Sequence, residues 1–242
     1  MRQALYRRGT EISSLSVGVV IFTRNEINTI GYLIDQVVKL IDKEDIFVID
    51  GHSTDQTISV VEEKKVPIYL DNKKGKGAAI RLAIKEVKRD VLVFMDSDGS
   101  HRPEEIPLLL GPLASGNSID MVIGSRFKGN SEEFLNSPEE VIRLIGNLLS
   151  TLFINIVWNA QLTDTQNGFR AVRRDAMAEL SLVEDSFAIE QEMVIKCLKK
   201  RKKIVEIPSF EKRRAHNRSH IIPFKMLPKY IACFARNIFP NV

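Results

Sequence analysis

The stretch Val91-Leu-Val-Phe-Met-Asp-Ser-Asp-Gly-Ser-His101 sets two carboxylates, Asp96 and Asp98, directly after five consecutive apolar residues. A short apolar run before a polar turn is typical of a buried strand in a parallel sheet. In open α/β sheets, ligands bind beyond the carboxyl ends of such strands. Two acids separated by one residue can hold a hard divalent cation, which in turn binds phosphate oxygens. Because Asp, Ser and Gly are also turn formers, a plain turn is the alternative.

Strands and helices alternate along the first half of the chain. Apolar runs predict strands at 16–22, 46–49, 66–70, 91–95 and 121–124. Helices are predicted at 27–41, at 76–88, after Pro103, and at 53–64 with Ser53 or Thr54 as the N-cap. This order is typical of a mostly parallel sheet with helices on both faces. The second half is less regular, with predicted helices at 141–158, 174–182 and 190–200 and strands at 169–172 and 203–207.

The composition suits one large α/β domain. The chain has 242 residues, of which 44% are hydrophobic and 27% charged. Its net charge is only +4, yet ten Lys or Arg residues stand against two acids between Lys196 and Arg218. This basic segment indicates an anionic partner or a solvated helix end. Nucleic acid is a poor candidate, because no stacking aromatics interleave the charges.

The chain is expected to be soluble or peripheral to a membrane, in the cytoplasm. Its two cysteines, Cys197 and Cys233, suggest neither a disulfide framework nor a metal site. The N-terminal segment lacks the apolar core of a secretory signal, and no stretch is expected to reach the roughly twenty apolar residues of a transmembrane helix. The tail at 221–242 is predicted to be amphipathic. It either lies at an interface or packs on the domain, and Pro223 and Pro228 are expected to limit its continuity.

Two further strand ends lie on the predicted ligand-binding edge. Val20-Ile-Phe-Thr-Arg-Asn-Glu26 ends the first strand, and Val48-Ile-Asp-Gly-His-Ser-Thr-Asp-Gln-Thr57 ends the second. Glu26 and Asp50 there are candidates to accept hydrogen bonds from a base or ribose. The Gly- and Lys-rich loop at 72–77 opens a predicted helix and suits an anion.

Further segments complete an ordered set: Gly124-Ser-Arg-Phe127, Asp164-Thr-Gln-Asn-Gly-Phe-Arg-Ala171, Glu190-Gln-Glu192, Glu206-Ile-Pro208 and Arg214-Ala-His-Asn-Arg-Ser-His220. In this order and spacing the chain resembles the family 2 glycosyltransferases, most of all the polyprenyl-phosphate hexose synthases, which include dolichyl-phosphate mannose synthase. The resemblance covers about residues 16 to 220. It implies a GT-A (nucleotide-diphospho-sugar transferase) α/β fold in 1–220, followed by the tail at 221–242 and no transmembrane domain.

The resemblance also implies a set of site residues. Asp96, Asp98 and Ser100 would hold Mg²⁺ or Mn²⁺ on the donor diphosphate, and Arg126 and Arg214 would join Asp98 in catalysis. Substrate contacts are implied for Phe22, Arg24, Glu26, Asp50, Lys76, Asp96, Arg143, Arg170, Ser219 and His220.

Some positions depart from the family pattern or have a simpler explanation. Ser100 stands where the family commonly has Gln, and His52 where it has a second acid; for His52 a role in the turn is favoured. His101 is predicted to cap or pack rather than bind metal. Arg170 either contacts substrate or forms a structural ion pair with Asp164.

The implied activity is an inverting hexosyl transfer from GDP-mannose, UDP-glucose or UDP-N-acetylglucosamine to dolichyl or polyprenyl phosphate, at the cytoplasmic face of a membrane. A phosphate acceptor is already anionic near neutral pH and needs no general base, so arginines that neutralise it matter more. Two alternatives remain: a glycan or protein hydroxyl as acceptor, and a non-catalytic nucleotide-sugar-binding subunit. The basic segment and the tail are the expected membrane contacts.

Overall fold

The computed structural model describes residues 15–115, 118–134, 136–214 and 223–238. A seven-stranded sheet has the order β3-β2-β1-β4-β6-β5-β7. Its strands are β1 (Val17–Thr23), β2 (Ile46–Asp50), β3 (Ile68–Leu70), β4 (Val91–Asp96), β5 (Ile119–Ser131), β6 (Arg170–Arg173) and β7 (Lys203–Glu211). β6 runs antiparallel to both of its neighbours, and the other pairs are parallel. The predicted mostly parallel α/β sheet is confirmed.

Helices cover both faces of this sheet. They are α1 (Ile27–Val37), α2 (Thr57–Glu63), α3 (Lys76–Glu86), α4 (Ile106–Ala114), α5 (Pro138–Trp158), α6 (Arg174–Ala178), α7 (Ile189–Lys199) and α8 (Pro223–Ile238). Successive residues of β4 point to opposite faces. Val93 therefore enters the core shared with α1, α2 and α4, while Phe94 enters the core shared with α3, α6 and α7. This double burial explains the uninterrupted apolar run that precedes Asp96.

Several predicted boundaries are wrong, among them the ends of α1, α6 and β7. Two others have a clear local reason. α2 begins at Thr57, because Ser53 and Thr54 instead close the loop after β2 by bonding Asp50 and the side chain of Asn25. β5 continues past its predicted end, since its polar second half pairs with β7 beyond a register shift. The second half of β5 has the polar composition of a loop, although it forms a strand.

The expectation that no stretch reaches the length of a transmembrane helix is wrong for α5. Its 21 residues are long and apolar enough to cross a membrane, by length and composition alone. Ile154 packs into the core, but most of the helix's large apolar side chains are exposed.

The tail contains a continuous helix, because Pro228 lies inside α8 without ending it. α8 contacts α5 and α7, and it buries Met226, Cys233 and Asn237. Packing on the domain, one of the two alternatives, is therefore what the structure shows for this helix.

Candidate active site

The acid pair lies at the carboxyl end of β4, where the sequence predicts it. Asp96 is the last residue of the strand and Asp98 lies in the following turn, with side chains 30% and 12% exposed. Ser100 orients Asp98, because its hydroxyl and its amide donate to one carboxylate oxygen at 2.7 and 3.0 Å. Gly99 between them has a φ of 81°, a conformation that glycine adopts at little cost. Ligation of a metal by Ser100 itself stays a prediction.

A cationic side chain contacts each acid. Lys76 Nζ, at the start of α3, lies 2.8 Å from Asp96 and 3.0 Å from Glu190. Arg214 Nε lies 3.1 Å from Asp98 and 3.5 Å from Glu133. Lys76, a predicted substrate-binding residue, and Arg214, a predicted catalytic residue, therefore both contact the acid pair.

The charges of Lys76 and Asp96 stabilise each other. Burial alone would lower the pKa of Lys76, but Asp96 and Glu190 outweigh it and raise that pKa above its usual range. Burial alone would raise the pKa of Asp96, but Lys76 and then His101 hold it below its usual value. Gly168 makes room for the pair, since a Cβ there would lie 2.7 Å from Lys76 Nζ.

The loop that opens α3 is less free for an anion than predicted. The amide of Gly77 donates to the carbonyl of Asp185 at 2.9 Å, and a Cβ on Gly77 would overlap the carbonyl of Glu184. The segment at Glu184 and Asp185 therefore covers the start of α3. Lys76 is the group of the loop that faces the acids.

His101 has the packing role that the sequence favours. The ring is buried and stacks on Phe169 with centroids 5.0 Å apart, and Nδ1 accepts a hydrogen bond from the Asp96 amide at 3.1 Å. His101 thus holds the end of β4 in position.

The residues at the acid pair fit a divalent cation completed by substrate. No group of three or more His, Cys, Asp or Glu side chains within the described ranges is arranged to hold a metal alone. Mg²⁺ typically binds one or two carboxylates together with substrate phosphates and water. Asp96, which lines a cavity, and Asp98, in the turn that follows it, supply that donor set.

Arg126 lies in β5 within a second group of charges. Its guanidinium contacts Asp164 at 2.7 and 3.0 Å and Glu211 at 3.3 Å. Asp164 has no exposed surface and accepts a further bond from Asn147 at 2.9 Å. Burial would raise the pKa of Asp164, but Arg126 outweighs it and the pKa lies below its usual value. Arg126 keeps 18% of its side chain exposed and lines the cavity.

Arg170 is not at the cavity, which corrects the prediction of a substrate contact. It has no exposed surface, and its guanidinium donates to the carbonyls of Asn167 and Glu190 at 2.9 and 3.2 Å. The alternative of an ion pair with Asp164 also fails, because Asp164 pairs with Arg126. Arg170 instead ties the loop before β6 to the start of α7.

The predicted nucleoside-binding residues lie beyond the cavity lining. Phe22 is buried with its ring 5.6 Å from that of Phe94, so it belongs to the core and not to a binding surface. Asp50 has no exposed surface and accepts from Ser53 Oγ at 2.6 Å. Glu26 is 6% exposed, whereas Arg24 is exposed. A nucleoside contact by Asp50 requires this carboxylate to be uncovered first.

His52 serves the turn, as favoured. It has a φ of 61°, and its Nε2 lies 2.7 Å from the carbonyl oxygen of Asp71. This contact ties the loop after β2 to the loop after β3.

One cavity is lined by Asp96 and by residues of α5 and α8. Its polar lining includes Lys76, Asp96, Arg126, Glu133, Glu190 and Arg214, and its apolar lining includes Phe134, Ile142, Leu144, Met226, Leu227 and Tyr230. Arg143 also lines it, where an acceptor contact is predicted. Ser219 and His220 lie outside the described residues.

Sequence reasoning missed four cavity acids as site residues: Glu133, Glu140, Glu190 and Glu211. Glu190 was visible in the Glu190-Gln-Glu192 motif, whereas nothing in the sequence singled out Glu133. Burial raises the pKa of Glu133 above its usual value, although Arg214 opposes the shift.

The basic segment near the end of α7 is used mostly inside the domain. Lys196 pairs with Glu192 at 2.8 Å, and Lys202 with Glu179 at 2.7 Å. Lys199 Nζ donates to the carbonyl of Asn237 at 2.6 Å. These contacts favour the helix-end alternative over an anionic partner at this position.

The sheet, with paired acids at its carboxyl edge, defines the class of GT-A-fold glycosyltransferases. The chain belongs to glycosyl transferase family 2, whose model matches residues 18–181. The family-level resemblance seen in the ordered motifs is confirmed.

Relatives and structural neighbours agree with this assignment. An undecaprenyl-phosphate mannosyltransferase of Micrococcus luteus is 30% identical, over 80% of this chain and 82% of that protein. A dolichol-phosphate mannosyltransferase of Pyrococcus furiosus is 30% identical, over 93% of this chain and 63% of that protein. A crystal structure of glucosyl-3-phosphoglycerate synthase from Mycobacterium tuberculosis, with Mn²⁺ and UDP-glucose, shares the fold at 20% identity, with a TM-score of 0.74 over 93% of this chain and 79% of that one. The chain spans about half the length of two other curated relatives, 52% and 47%.

Proposed function

We propose that this chain transfers a hexose from a nucleotide sugar to dolichyl or another polyprenyl phosphate, with inversion and with Mg²⁺ or Mn²⁺, at the cytoplasmic face of a membrane. The observation that carries the proposal is the mixed lining of the cavity. Asp96 and four cationic side chains line it together with apolar side chains of α5 and α8. A phosphate carried on a hydrocarbon chain matches this lining. The similarity to an undecaprenyl-phosphate and a dolichol-phosphate mannosyltransferase supports the acceptor class.

Asp96 and Asp98 would hold the cation. When bound, the ion neutralises negative charge on the diphosphate that leaves the sugar. Lys76 and Arg214 already lie within 3.1 Å of the acids and add positive charge next to them. Ser100 keeps Asp98 in one orientation, and a preorganised donor or acceptor needs no rearrangement during the reaction.

The acceptor phosphate would be positioned by Arg126 and Arg143, which both line the cavity. Arg126 is held by Asp164 and Glu211, so its exposed edge has a fixed position. An anionic phosphate oxygen attacks without a general base, and attack on the face opposite the leaving diphosphate inverts the anomeric carbon. Arg24, Glu26 and Asp50 remain proposed for the nucleoside, and Ser219 with His220 for a loop that closes over the site.

A hydroxyl acceptor is the second candidate, and Glu133 is the observation in its favour. A general base needs a pKa near the working pH. Burial raises the pKa of Glu133, and this carboxyl lies in the cavity 3.5 Å from Arg214. Such a group suits removal of a proton from a sugar or protein hydroxyl.

Transfer of radiolabelled sugar separates these candidates. The protein is incubated with Mn²⁺, a short-chain polyprenyl phosphate and, in turn, GDP-mannose, UDP-glucose and UDP-N-acetylglucosamine. Label that moves into the organic phase supports the proposal, and loss of that label in Asp98→Asn assigns it to this site. Label found only in water-soluble glycan or protein, when those acceptors are supplied, favours the hydroxyl acceptor. Donor binding without transfer to any acceptor would indicate a non-catalytic subunit.

A further inference from the structure

Glu190 is a buried acid of the cavity to which the proposed function gives no role. It is the second residue of α7, is 3% exposed and lines the cavity. Its Oε1 lies 3.0 Å from Lys76 Nζ, whereas Oε2 has no hydrogen-bond partner among the described residues. Within that part of the chain Lys76 is thus the one partner of this carboxylate. Because burying an unpaired charge is costly, Glu190 and Lys76 depend on each other.

Lys76 has two acidic partners, and only one of them is free to leave. Asp96 lies 2.8 Å from its ammonium, is 30% exposed and is the proposed ligand of the cation. Glu190 is 4% exposed. It is not a third ligand, since no three His, Cys, Asp or Glu side chains in the described ranges are arranged to hold a metal. An ammonium has three N–H donors, so Lys76 can keep Glu190 while it turns another donor from Asp96 to a phosphate oxygen.

The starts of α3 and α7 hold this pair in place. Lys76 is the first residue of α3, and the amide of the next residue, Gly77, donates to the carbonyl of Asp185 at 2.9 Å. Shortly afterwards α7 begins, and the carbonyl of Glu190 accepts from Arg170 at 3.2 Å. Residues 189–195 of α7 are all buried. The backbone of both partners is therefore fixed without any contribution from Asp96.

Gly168 and Phe187 complete the surroundings of the ammonium. A Cβ on Gly168 would lie 2.7 Å from Lys76 Nζ. The same atom would lie 3.0 Å from Asp96 Oδ2 and 3.7 Å from Glu190 Oε1, so the glycine leaves room where the three charges meet. The centroid of the Phe187 ring lies 5.8 Å from Lys76 Nζ, within the range of a cation–π contact. Lys76 therefore keeps two contacts when Asp96 binds a cation.

We propose that Glu190 is a positioning residue for the donor diphosphate, because it holds Lys76 in the cavity while Asp96 exchanges Lys76 for the divalent cation. This inference rests on the proposed nucleotide-sugar donor. When the bond between the anomeric carbon and the diphosphate oxygen breaks, its electron pair stays on that oxygen. The Lys76 ammonium, already fixed by Glu190, stabilises this charge with little further loss of side-chain freedom.

The test measures the binding of GDP and of UDP at saturating Mn²⁺, by calorimetry, to the unaltered protein and to Glu190→Gln. Charge alone and positioning predict opposite results. Removal of a negative charge from the cavity should by itself tighten the binding of an anionic diphosphate. If Glu190 positions Lys76, binding should instead weaken by roughly tenfold, a usual size for coupling between charged groups in contact. Tighter or unchanged binding in Glu190→Gln would overturn the inference.

A double variant shows whether Glu190 acts through Lys76. Lys76→Met alone should weaken nucleotide binding by roughly tenfold or more, and the addition of Glu190→Gln should weaken it no further. A second loss of equal size would mean that Glu190 acts on the nucleotide directly, which would also overturn the inference. The matched control is Glu179→Gln, which removes the same charge from an ion pair with Lys202 away from the cavity lining. The control should bind the nucleotide as the unaltered protein does.

Glu190→Asp keeps the test decisive if the glutamine variant does not fold. It preserves the charge but withdraws the carboxylate from Lys76 by the length of one carbon–carbon bond. We expect weaker nucleotide binding than in the unaltered protein, with urea denaturation confirming that the variant is folded. Equal binding would show that the charge of Glu190 matters and its position does not, contrary to the inference.

Transfer kinetics separate positioning from a purely structural role. For transfer to a short-chain polyprenyl phosphate at saturating donor, Glu190→Gln should lower kcat by roughly tenfold, because the charge that Lys76 stabilises is largest in the transition state. An unaltered kcat would contradict the inference. If the unaltered protein binds neither GDP nor UDP, the proposed function fails and the inference with it. If it binds a nucleotide but transfers sugar to no acceptor, only the proposed function fails, and the binding measurements still decide the role of Glu190.

Discussion

The Lys76–Asp96 and Arg126–Asp164 ion pairs differ in how deeply they are buried. Lys76 and Asp96 meet at the cavity surface, where 30% of the Asp96 side chain is exposed. Arg126 and Asp164 meet behind it, and Asp164 has no exposed surface and a further donor in Asn147. The first pair can exchange its partners for a cation and a phosphate. The second can do so only by leaving a charge buried and unpaired, so its role is to hold Arg126 in place.

Loss of the buried pair should give the largest effect. Asp164→Ala leaves Arg126 with Glu211 alone, and breaking a buried pair typically costs about 3–5 kcal/mol. Urea denaturation measures the free energy of unfolding. The matched control is Asp35→Ala, which removes an exposed pair with Lys64 and should cost about 1 kcal/mol or less. Equal costs for the two variants would mean that the Arg126–Asp164 pair stabilises the fold no more than an exposed ion pair does.

The acid pair should show the opposite behaviour, with a large effect on activity and a small one on folding. Asp98→Asn keeps the shape of the side chain but removes a charge that would hold the cation. We expect kcat/KM for sugar transfer to fall by about 10²–10³, the usual cost of losing an electrostatic contact at a reacting centre. The free energy of unfolding should change less than in Asp164→Ala, because the amide oxygen of the variant can still accept the hydrogen bonds from Ser100. A variant that unfolds instead would place Asp98 among the structural ion pairs.

Lys76→Met should have a smaller effect, which strengthens metal binding and weakens sugar transfer. Without the ammonium, Asp96 is free for a metal, so we expect Mn²⁺ to bind roughly tenfold more tightly, a change of about 1.4 kcal/mol. Sugar transfer should still fall, because a cation next to the donor is lost. Titration followed by electron paramagnetic resonance measures free Mn²⁺, and Lys85→Met is the matched control on an exposed position of the same helix. Weaker Mn²⁺ binding in Lys76→Met would show that Lys76 supports the metal site.

Acid should weaken the buried pair gradually. The pKa of Asp164 is lower in the folded protein than in the unfolded chain, where it is about 3.9. Its contribution to stability is therefore complete above that value and is lost as the pH falls toward the folded pKa. Thermal unfolding between neutral pH and pH about 3 should show a smaller loss of stability in Asp164→Ala than in the unaltered protein. Parallel curves would mean that Asp164 does not titrate differently on folding.

The sequence predicts the position of the acid pair better than the burial of Arg170, for a physical reason. Asp96 follows a strand whose residues are all apolar, and that run is local information. The burial of Arg170 depends on carbonyls of the loop before β6 and of α7, which only the folded chain brings together. The same limit applies to α5. Its apolar period is visible in the sequence, but which side faces the domain depends on distant partners such as Asp164 and Gln191.

The role of Asp96 and Asp98 can be tested in a crystal structure with Mn²⁺ and a nucleotide sugar. We expect one Mn²⁺ bound by Asp96 and Asp98 at metal–oxygen distances of about 2.0–2.6 Å, with diphosphate oxygens completing its coordination. Lys76 should then have moved from Asp96 toward a phosphate. An ion and a diphosphate bound away from both carboxylates, with the contacts of Lys76 and Arg214 unchanged, would contradict it.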